Sequence, residues 1–134
     1  MLLITCKQKV EKNEAELKAE KVAFFNKKLN LTKEEADLFW PIYNEYWVKK
    51  NQIYDNRRSA MKYCDKNLVT LSDEEITKYA DMYVNFKKEE ADLLVEFNEK
   101  FKKVLPPTKV FLLYQTDYEF KNYLLKQIQN SGNK

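Results

Sequence analysis

The sequence predicts an all-α fold of about four helices, two of them long, that pair as antiparallel helical hairpins. Gly132 is the single glycine in 134 residues, whereas β-hairpins, phosphate loops and dinucleotide-binding folds place glycine at positive φ. Apolar residues recur at three- and four-residue intervals, which is the spacing of a helix face. No alternating run flanked by turn residues predicts a strand, and short connections favour antiparallel neighbours.

The first helix is predicted to begin near Asn13 or Glu14 and to end at about Leu29. The segment before it is polar, and we expect it to be frayed. Apolar residues within the helix have the spacing of one buried face. This face consists of Ala15, Ala19, Val22, Phe25 and Leu29.

A capping box predicts the start of the second helix. The Thr32 hydroxyl can accept a hydrogen bond from the first turn, while Glu35 reaches back to the Thr32 amide. Leu31 and Ala36 are spaced to form a hydrophobic staple. The apolar pattern then continues to about Cys64.

Pro41 lies inside this second helix. A proline cannot donate the helical hydrogen bond, so the carbonyl of Asp37 loses its partner. We therefore predict a bend of more than ~20° near these residues. Such a bend would give a long helix curvature.

The third helix begins with the same device. Ser72 is its predicted cap, Glu75 is the partner of the cap, and Leu71 is spaced to staple onto Ile76. The predicted buried side of the third helix is Ile76, Tyr79, Ala80, Tyr83, Phe86, Leu93, Leu94, Phe97, Phe101 and Val104.

Two prolines separate the third and fourth helices. The third helix must end before Pro106, because the residue preceding a proline avoids the α region. Pro107 is suited to the first position of the fourth helix, where a missing N–H is not needed. The predicted buried side of the fourth helix is Val110, Leu113, Tyr114, Phe120, Leu124 and Ile128.

The first residues, "MLLITC", are too short for a signal peptide. We interpret residues 1–12 as a disordered N-terminus or the remnant of an export signal, residues 13–130 as a single helical domain, and residues 131–134 as a tail. The stretch ending at Cys6 loosely fits a lipoprotein cleavage box, so lipid anchoring there stays open beside periplasmic or exported localisation. Cys6 and Cys64 belong to no CxxC motif, and their pairing is left open.

Composition argues against several classes of function. The sequence contains no histidine, which removes the usual general base and the usual metal ligand. The net charge is +3 and the only arginines are Arg57 and Arg58, whereas specific nucleic-acid surfaces favour arginine. No apolar run approaches the ~20 residues that span a membrane. We expect no cofactor, no metal, no nucleic acid and no enzymatic activity.

The second helix carries more aromatic surface than one core requires. Its apolar arc covers roughly 160°, whereas a core-facing helix needs about 100°. The surplus aromatic surface has two interpretations. It is either ordinary core, which is the commoner case for aromatic residues at helical spacing, or a surface that contacts a second subunit or a bound polypeptide. Lys50 and Arg57 lie within the arc, which indicates a wet or paired stretch. The candidate partner-binding residues are Trp40, Trp47, Tyr54, Arg57, Arg58 and Met61.

The two helix starts carry a resemblance to a known family. "LTKEEA" at Leu31–Ala36 and "LSDEEI" at Leu71–Ile76 resemble the doubled LTxxQ motif of bacterial periplasmic Spy/CpxP-like proteins. The chain is also similar to a subgroup of short secreted proteins labelled periplasmic sensors, through Leu29–Tyr46 and Leu105–Leu125. Glutamate stands in place of the motif's glutamine and Ser72 in place of its second threonine, and both swaps preserve the capping box. The matched residues are Leu31, Thr32, Glu35, Leu71, Ser72 and Glu75.

The resemblance implies a small, ATP-independent chaperone or envelope-stress factor that forms an antiparallel, curved, cradle-like homodimer. We therefore expect a non-enzymatic envelope protein that binds unfolded or partner polypeptides. The alternative is a periplasmic regulatory or sensor protein with one defined partner and no chaperone activity. The capping motif by itself predicts where helices begin and says little about what they bind.

Overall fold

Helices make up nearly all of the structure. The computed structural model describes the backbone from Leu2 to Gly132 and the side chains of residues 14–130. This part of the chain contains no strand and folds into α1 (Leu2–Leu29), α2 (Lys33–Lys66), α3 (Asp73–Val104) and α4 (Pro107–Gly132). The predicted all-α class is confirmed, and the longest helices are α2 and α3, with 34 and 32 residues.

The chain divides into two compact units. Unit 1 consists of Met1–Ala36 and Leu105–Lys134. In this unit α1 and α4 run antiparallel, because the Phe24 ring lies 5.9 Å from that of Tyr123, while Asn30 at the end of α1 contacts Lys109 at the start of α4. The buried residues of unit 1 are Phe25, Leu29, Leu105, Val110, Leu113, Thr116 and Phe120.

Unit 2 is the contiguous segment Asp37–Val104, in which α2 and α3 form an antiparallel hairpin. Ring pairs fix its register, with centroids 5.6 Å apart for Phe39 and Phe101, 5.4 Å for Tyr46 and Phe97, and 5.8 Å for Tyr63 and Tyr79. The core is concentrated near the open end of the hairpin. Between residues 51 and 92 the single buried residue is Cys64, a free thiol. The buried residues of unit 2 are Phe39, Tyr43, Tyr46, Lys50, Cys64, Leu93, Phe97 and Phe101.

The predicted capping box at the start of α2 is formed in full. The Thr32 N–H donates to Glu35 Oε1 at 2.9 Å, and the Glu35 N–H donates to Thr32 Oγ1 at 3.1 Å. At the start of α3 the Glu75 N–H donates to Ser72 Oγ at 3.2 Å, without a return bond to the Ser72 amide among the described contacts. Ser72 is therefore a cap whose box is half formed.

The first box is also tied to α4. Lys109 Nζ donates to the carbonyl of Asn30 at 2.8 Å and to the Glu35 carboxylate. Asn30 has φ 50°, and the Leu31 N–H bonds back to the Asn26 carbonyl, a helix ending that uses one left-handed residue. Lys109 thus joins the end of α1, the start of α2 and the start of α4 within unit 1.

Several predicted boundaries and positions are corrected by the structure. Helix α1 begins at Leu2 rather than near Asn13, since residues 2–12 contain no proline or glycine that would stop a helix. Helix α4 continues to Gly132, into the predicted tail. Ile128, predicted to be buried, is 67% exposed, because it lies in the last turns of α4, where the neighbouring helix supplies little cover.

Other stripe residues are also more exposed than predicted. On α3, Ala80, Tyr83 and Leu94 face solvent, as do Ala15 and Ala19 on α1. Ala80 and Tyr83 lie in the part of the hairpin where Cys64 is the single buried residue, and residues 14–20 of α1 are all exposed. The predicted stripes therefore extend further along these helices than the buried core does.

Helix α2 is continuous through Pro41, whose side chain is exposed. The predicted bend there remains a prediction, as do the domain assignment and the staples. The predictions for Cys6 lie outside the residues whose side chains are described.

Candidate protein-binding edge of helix α2

The candidate residues lie on one side of α2, within unit 2. We call this set the α2 edge; it consists of Trp40, Trp47, Tyr54, Arg57, Arg58 and Met61. Residues seven apart on a straight helix drift by about 20°. The row that runs from Trp40 to Met61 therefore turns gradually across the helix surface. Its members range from half-buried to exposed.

Both tryptophans rest on the same buried ring. The Trp40 and Tyr43 centroids are 5.5 Å apart in an edge-on arrangement, and the Trp47 and Tyr43 rings are stacked at 6.5 Å with 16° between their planes. Trp40 is half-buried, whereas Trp47 is 40% exposed. A large amphipathic ring that is held by a core residue and still meets water is suited to anchor a protein interface.

Tyr54 connects the α2 edge to α3. Its hydroxyl donates to Glu90 Oε1 at 2.7 Å. Burial and, next, this hydrogen bond raise the pKa of Tyr54 well above its usual range. The hydroxyl therefore keeps its proton at neutral pH and acts as a donor.

Two cations contact the Tyr54 ring. Lys50 Nζ lies 5.7 Å from its centroid and Arg57 Cζ lies 4.7 Å from it. Lys50 Nζ also lies 5.6 Å from the centroid of Tyr46. Cation–π contacts of this kind contribute about 0.5–1 kcal/mol at exposed sites and more when water is excluded. The stretch around Lys50 and Arg57, which was predicted to be wet or paired, contains a cationic cluster on a tyrosine.

Lys50 has an unusual environment for a lysine. It is 8% exposed, and among the described residues it forms no ion pair. Among those residues, every side-chain nitrogen or oxygen atom that is fully shielded from water has a hydrogen-bond partner. The Lys50 ammonium has no such partner, so it must lie at the water-accessible margin of the cluster. The side chain as a whole is buried, and its ammonium lies over the rings of Tyr46 and Tyr54.

The structure brings together some predicted site residues and separates others. Tyr54 and Arg57 form one cluster with Lys50 and Glu90, which the sequence interpretation did not include as site residues. Arg58 is exposed and Met61 is half-buried further along α2. Glu35 of the first capping motif is bonded to Lys109 in unit 1. Lys50 was recognisable as a charge inside an apolar stripe, whereas Glu90 lies on another helix and carried no local signal.

The exposed rings and cations of the α2 edge are suited to contact with another molecule. Within the described residues, no group of three or more histidine, cysteine, aspartate or glutamate side chains is placed to hold a metal ion. No helix in that part of the chain combines the length and the apolar character needed to cross a bilayer.

Comparisons of the chain with protein-family models, with curated proteins and with solved structures found no match. The resemblance to Spy/CpxP-like proteins accordingly rests on the motifs quoted above.

Proposed function

We propose that this protein is a non-enzymatic polypeptide-binding protein of the bacterial cell envelope, of Spy/CpxP-like type, and that the α2 edge contacts the bound chain. The observation that carries the proposal is Trp47, which stacks on buried Tyr43 and remains 40% exposed. The Trp47 indole is already held in place before any partner arrives, so its side chain would lose little conformational entropy when a polypeptide binds. The family resemblance supports the localisation and a homodimeric state.

The edge combines three kinds of contact that an unfolded or partner polypeptide can use. Trp40 and Trp47 offer aromatic surface, Met61 offers a flexible apolar side chain, and Arg58 offers an exposed cation. Aromatic residues and arginine are the types that most often dominate protein-binding energy. Mixed surfaces of this kind are tolerant of partner sequence because no single geometry is required.

A Trp47→Ala variant tests the role of the edge. We expect a stability loss below the 3–5 kcal/mol typical of a fully buried aromatic residue, because the indole is already 40% exposed. Binding of a permanently unfolded client, measured by fluorescence anisotropy, should weaken by 1 kcal/mol or more.

The matched control is Tyr123→Ala, since Tyr123 has a similar exposure of 39% and packs in unit 1. This variant should lose stability while binding the client as the wild type does. A Trp47→Ala protein that loses 3–5 kcal/mol of stability and binds normally would show that the stripe is ordinary core.

A second measurement separates the two forms of the proposal. Suppression of the aggregation of several unrelated denatured proteins is expected of a chaperone. Binding to one partner, with no suppression, is expected of a regulatory or sensor protein.

A further inference from the structure

We infer that Lys50 and Arg57, which both contact the ring of Tyr54, form a subsite for a carboxylate on the bound polypeptide. The inference rests on the proposed function and specifies the chemistry of the partner: an aspartate or glutamate side chain next to apolar residues. Trp47 would take the apolar part, and the cluster would take the charge.

The cluster carries more positive than negative charge. Lys50, Arg57 and Glu90 all contact or bond Tyr54, so two cations face one carboxylate. The Glu90 oxygen Oε1 accepts from the Tyr54 hydroxyl, and Oε2 lies 4.0 Å from Lys87. The one local carboxylate is thus engaged by other groups, and among the described residues neither Lys50 nor Arg57 has an ion pair.

Lys50 is also buried. A largely buried cation without an anionic partner loses hydration and gains only the weaker attraction of aromatic rings. Lys50 is 8% exposed, and its ammonium lies over the rings of Tyr46 and Tyr54. A carboxylate arriving at this point would supply the missing counter-charge where the surrounding rings reduce screening.

Helix α2 is basic over a wider stretch as well. From Lys49 to Lys66 the helix carries six basic and two acidic side chains, and none of Arg57, Arg58 and Lys62 is paired with an acid in the described residues. An approaching acidic segment is therefore attracted along the whole distal part of the helix. A singly charged carboxylate suits the cluster better than a dianionic phosphate, because Glu90, which accepts from the Tyr54 hydroxyl, would repel the second charge.

The experiment compares two fluorescein-labelled peptides of about ten residues that alternate leucine, phenylalanine and serine and differ only in a central glutamate or glutamine. The wild type should bind the glutamate peptide about fivefold more tightly, a typical gain for a partly desolvated ion pair. The preference should disappear in Lys50→Met and in Arg57→Met. It should persist in Lys62→Met, which removes an exposed lysine from the same helix, and thermal melts should show that all variants fold.

Each outcome bears on the proposal. Equal wild-type affinity for both peptides would overturn the carboxylate subsite and leave the proposed function intact, whereas binding of neither peptide would overturn both. A preference that survives in Lys50→Met and Arg57→Met, or that is lost equally in Lys62→Met, would contradict the assignment of these residues. If sedimentation velocity shows that Lys50→Met converts a dimer into monomers, the occupant is a second copy of the chain, and the inference is wrong.

Discussion

Glu35 serves two purposes with one carboxylate. It accepts the Thr32 N–H at the start of α2 and also accepts a hydrogen bond from Lys109 on α4. The first of these contacts was predictable from the spacing of Thr32 and Glu35, because a capping box is local. The second was not, since the partners are 74 residues apart and no short-range pattern encodes that distance.

The Lys109–Glu35 contact makes stability dependent on pH. The hydrogen bond from Lys109, followed by the Thr32 amide, lowers the pKa of Glu35 below its ordinary value. A carboxyl group with a lowered pKa in the folded state contributes stability above its unfolded pKa, about 4.3, and loses it as the pH falls through the folded value. We expect the free energy of unfolding to fall on acidification below about pH 4.5, with a steeper slope in the wild type than in Glu35→Gln.

Urea unfolding at a series of pH values measures that slope. Lys109→Met should flatten it to a similar extent, because it removes the main cause of the shift. Glu34→Gln, in the same helical turn, serves as the control and should retain the contribution of the Lys109–Glu35 pair. Parallel slopes for the wild type and Glu35→Gln would contradict the assignment.

At the scale of whole elements, helix ends were predicted well where a side chain determines them. Thr32, Ser72 and Pro107 each precede or open a helix as expected. The predicted start of α1 was wrong, because residues 2–12 include helix formers and contain no proline or glycine that would stop the helix. The buried length of the stripes was also overestimated, since the sequence reveals which side of a helix is apolar and not which part of that side a neighbour will cover.

The two caps should differ in strength. Thr32→Ala removes one bond of a complete box that is linked to α4, whereas Ser72→Ala removes the single bond of a half-formed box. Each substitution should cost about 1 kcal/mol, within the 0.5–2 kcal/mol found for lost caps, and Thr32→Ala should cost more. Thermal and urea unfolding of both variants measures the difference, and wild-type stability in both would refute the capping interpretation.

At the scale of the molecule, burial is uneven along the hairpin of unit 2. The aromatic core of Phe39, Tyr46, Phe97 and Phe101 lies near its open end, whereas Cys64 is the single buried residue between residues 51 and 92. The sequence could not show this gradient, because apolar residues continue through both halves. Tyr83 has the spacing of core residues and is nevertheless exposed.

Hydrogen exchange should report that gradient. Regions with few buried contacts open locally at lower free energy than the core. We expect amides of residues 55–85 to exchange faster than those of residues 43–50 and 95–104, as measured by mass spectrometry on peptic fragments. Phe97→Ala should accelerate exchange throughout unit 2, whereas Tyr83→Ala should change it only nearby. Uniform protection along both helices would show that burial does not control opening here.

The division into two units has a consequence for biosynthesis. Unit 2 is one uninterrupted segment, Asp37–Val104, while unit 1 combines the two ends of the chain. Ribosomes add roughly 5–20 residues per second, so α1 emerges several seconds before α4, the helix whose Phe120 ring packs on Phe25. During that interval the nascent chain can form the hairpin of α2 and α3, whereas the apolar face of α1 is still exposed to solvent. A protein proposed to bind unfolded polypeptides would thus itself pass through a stage at which it needs protection.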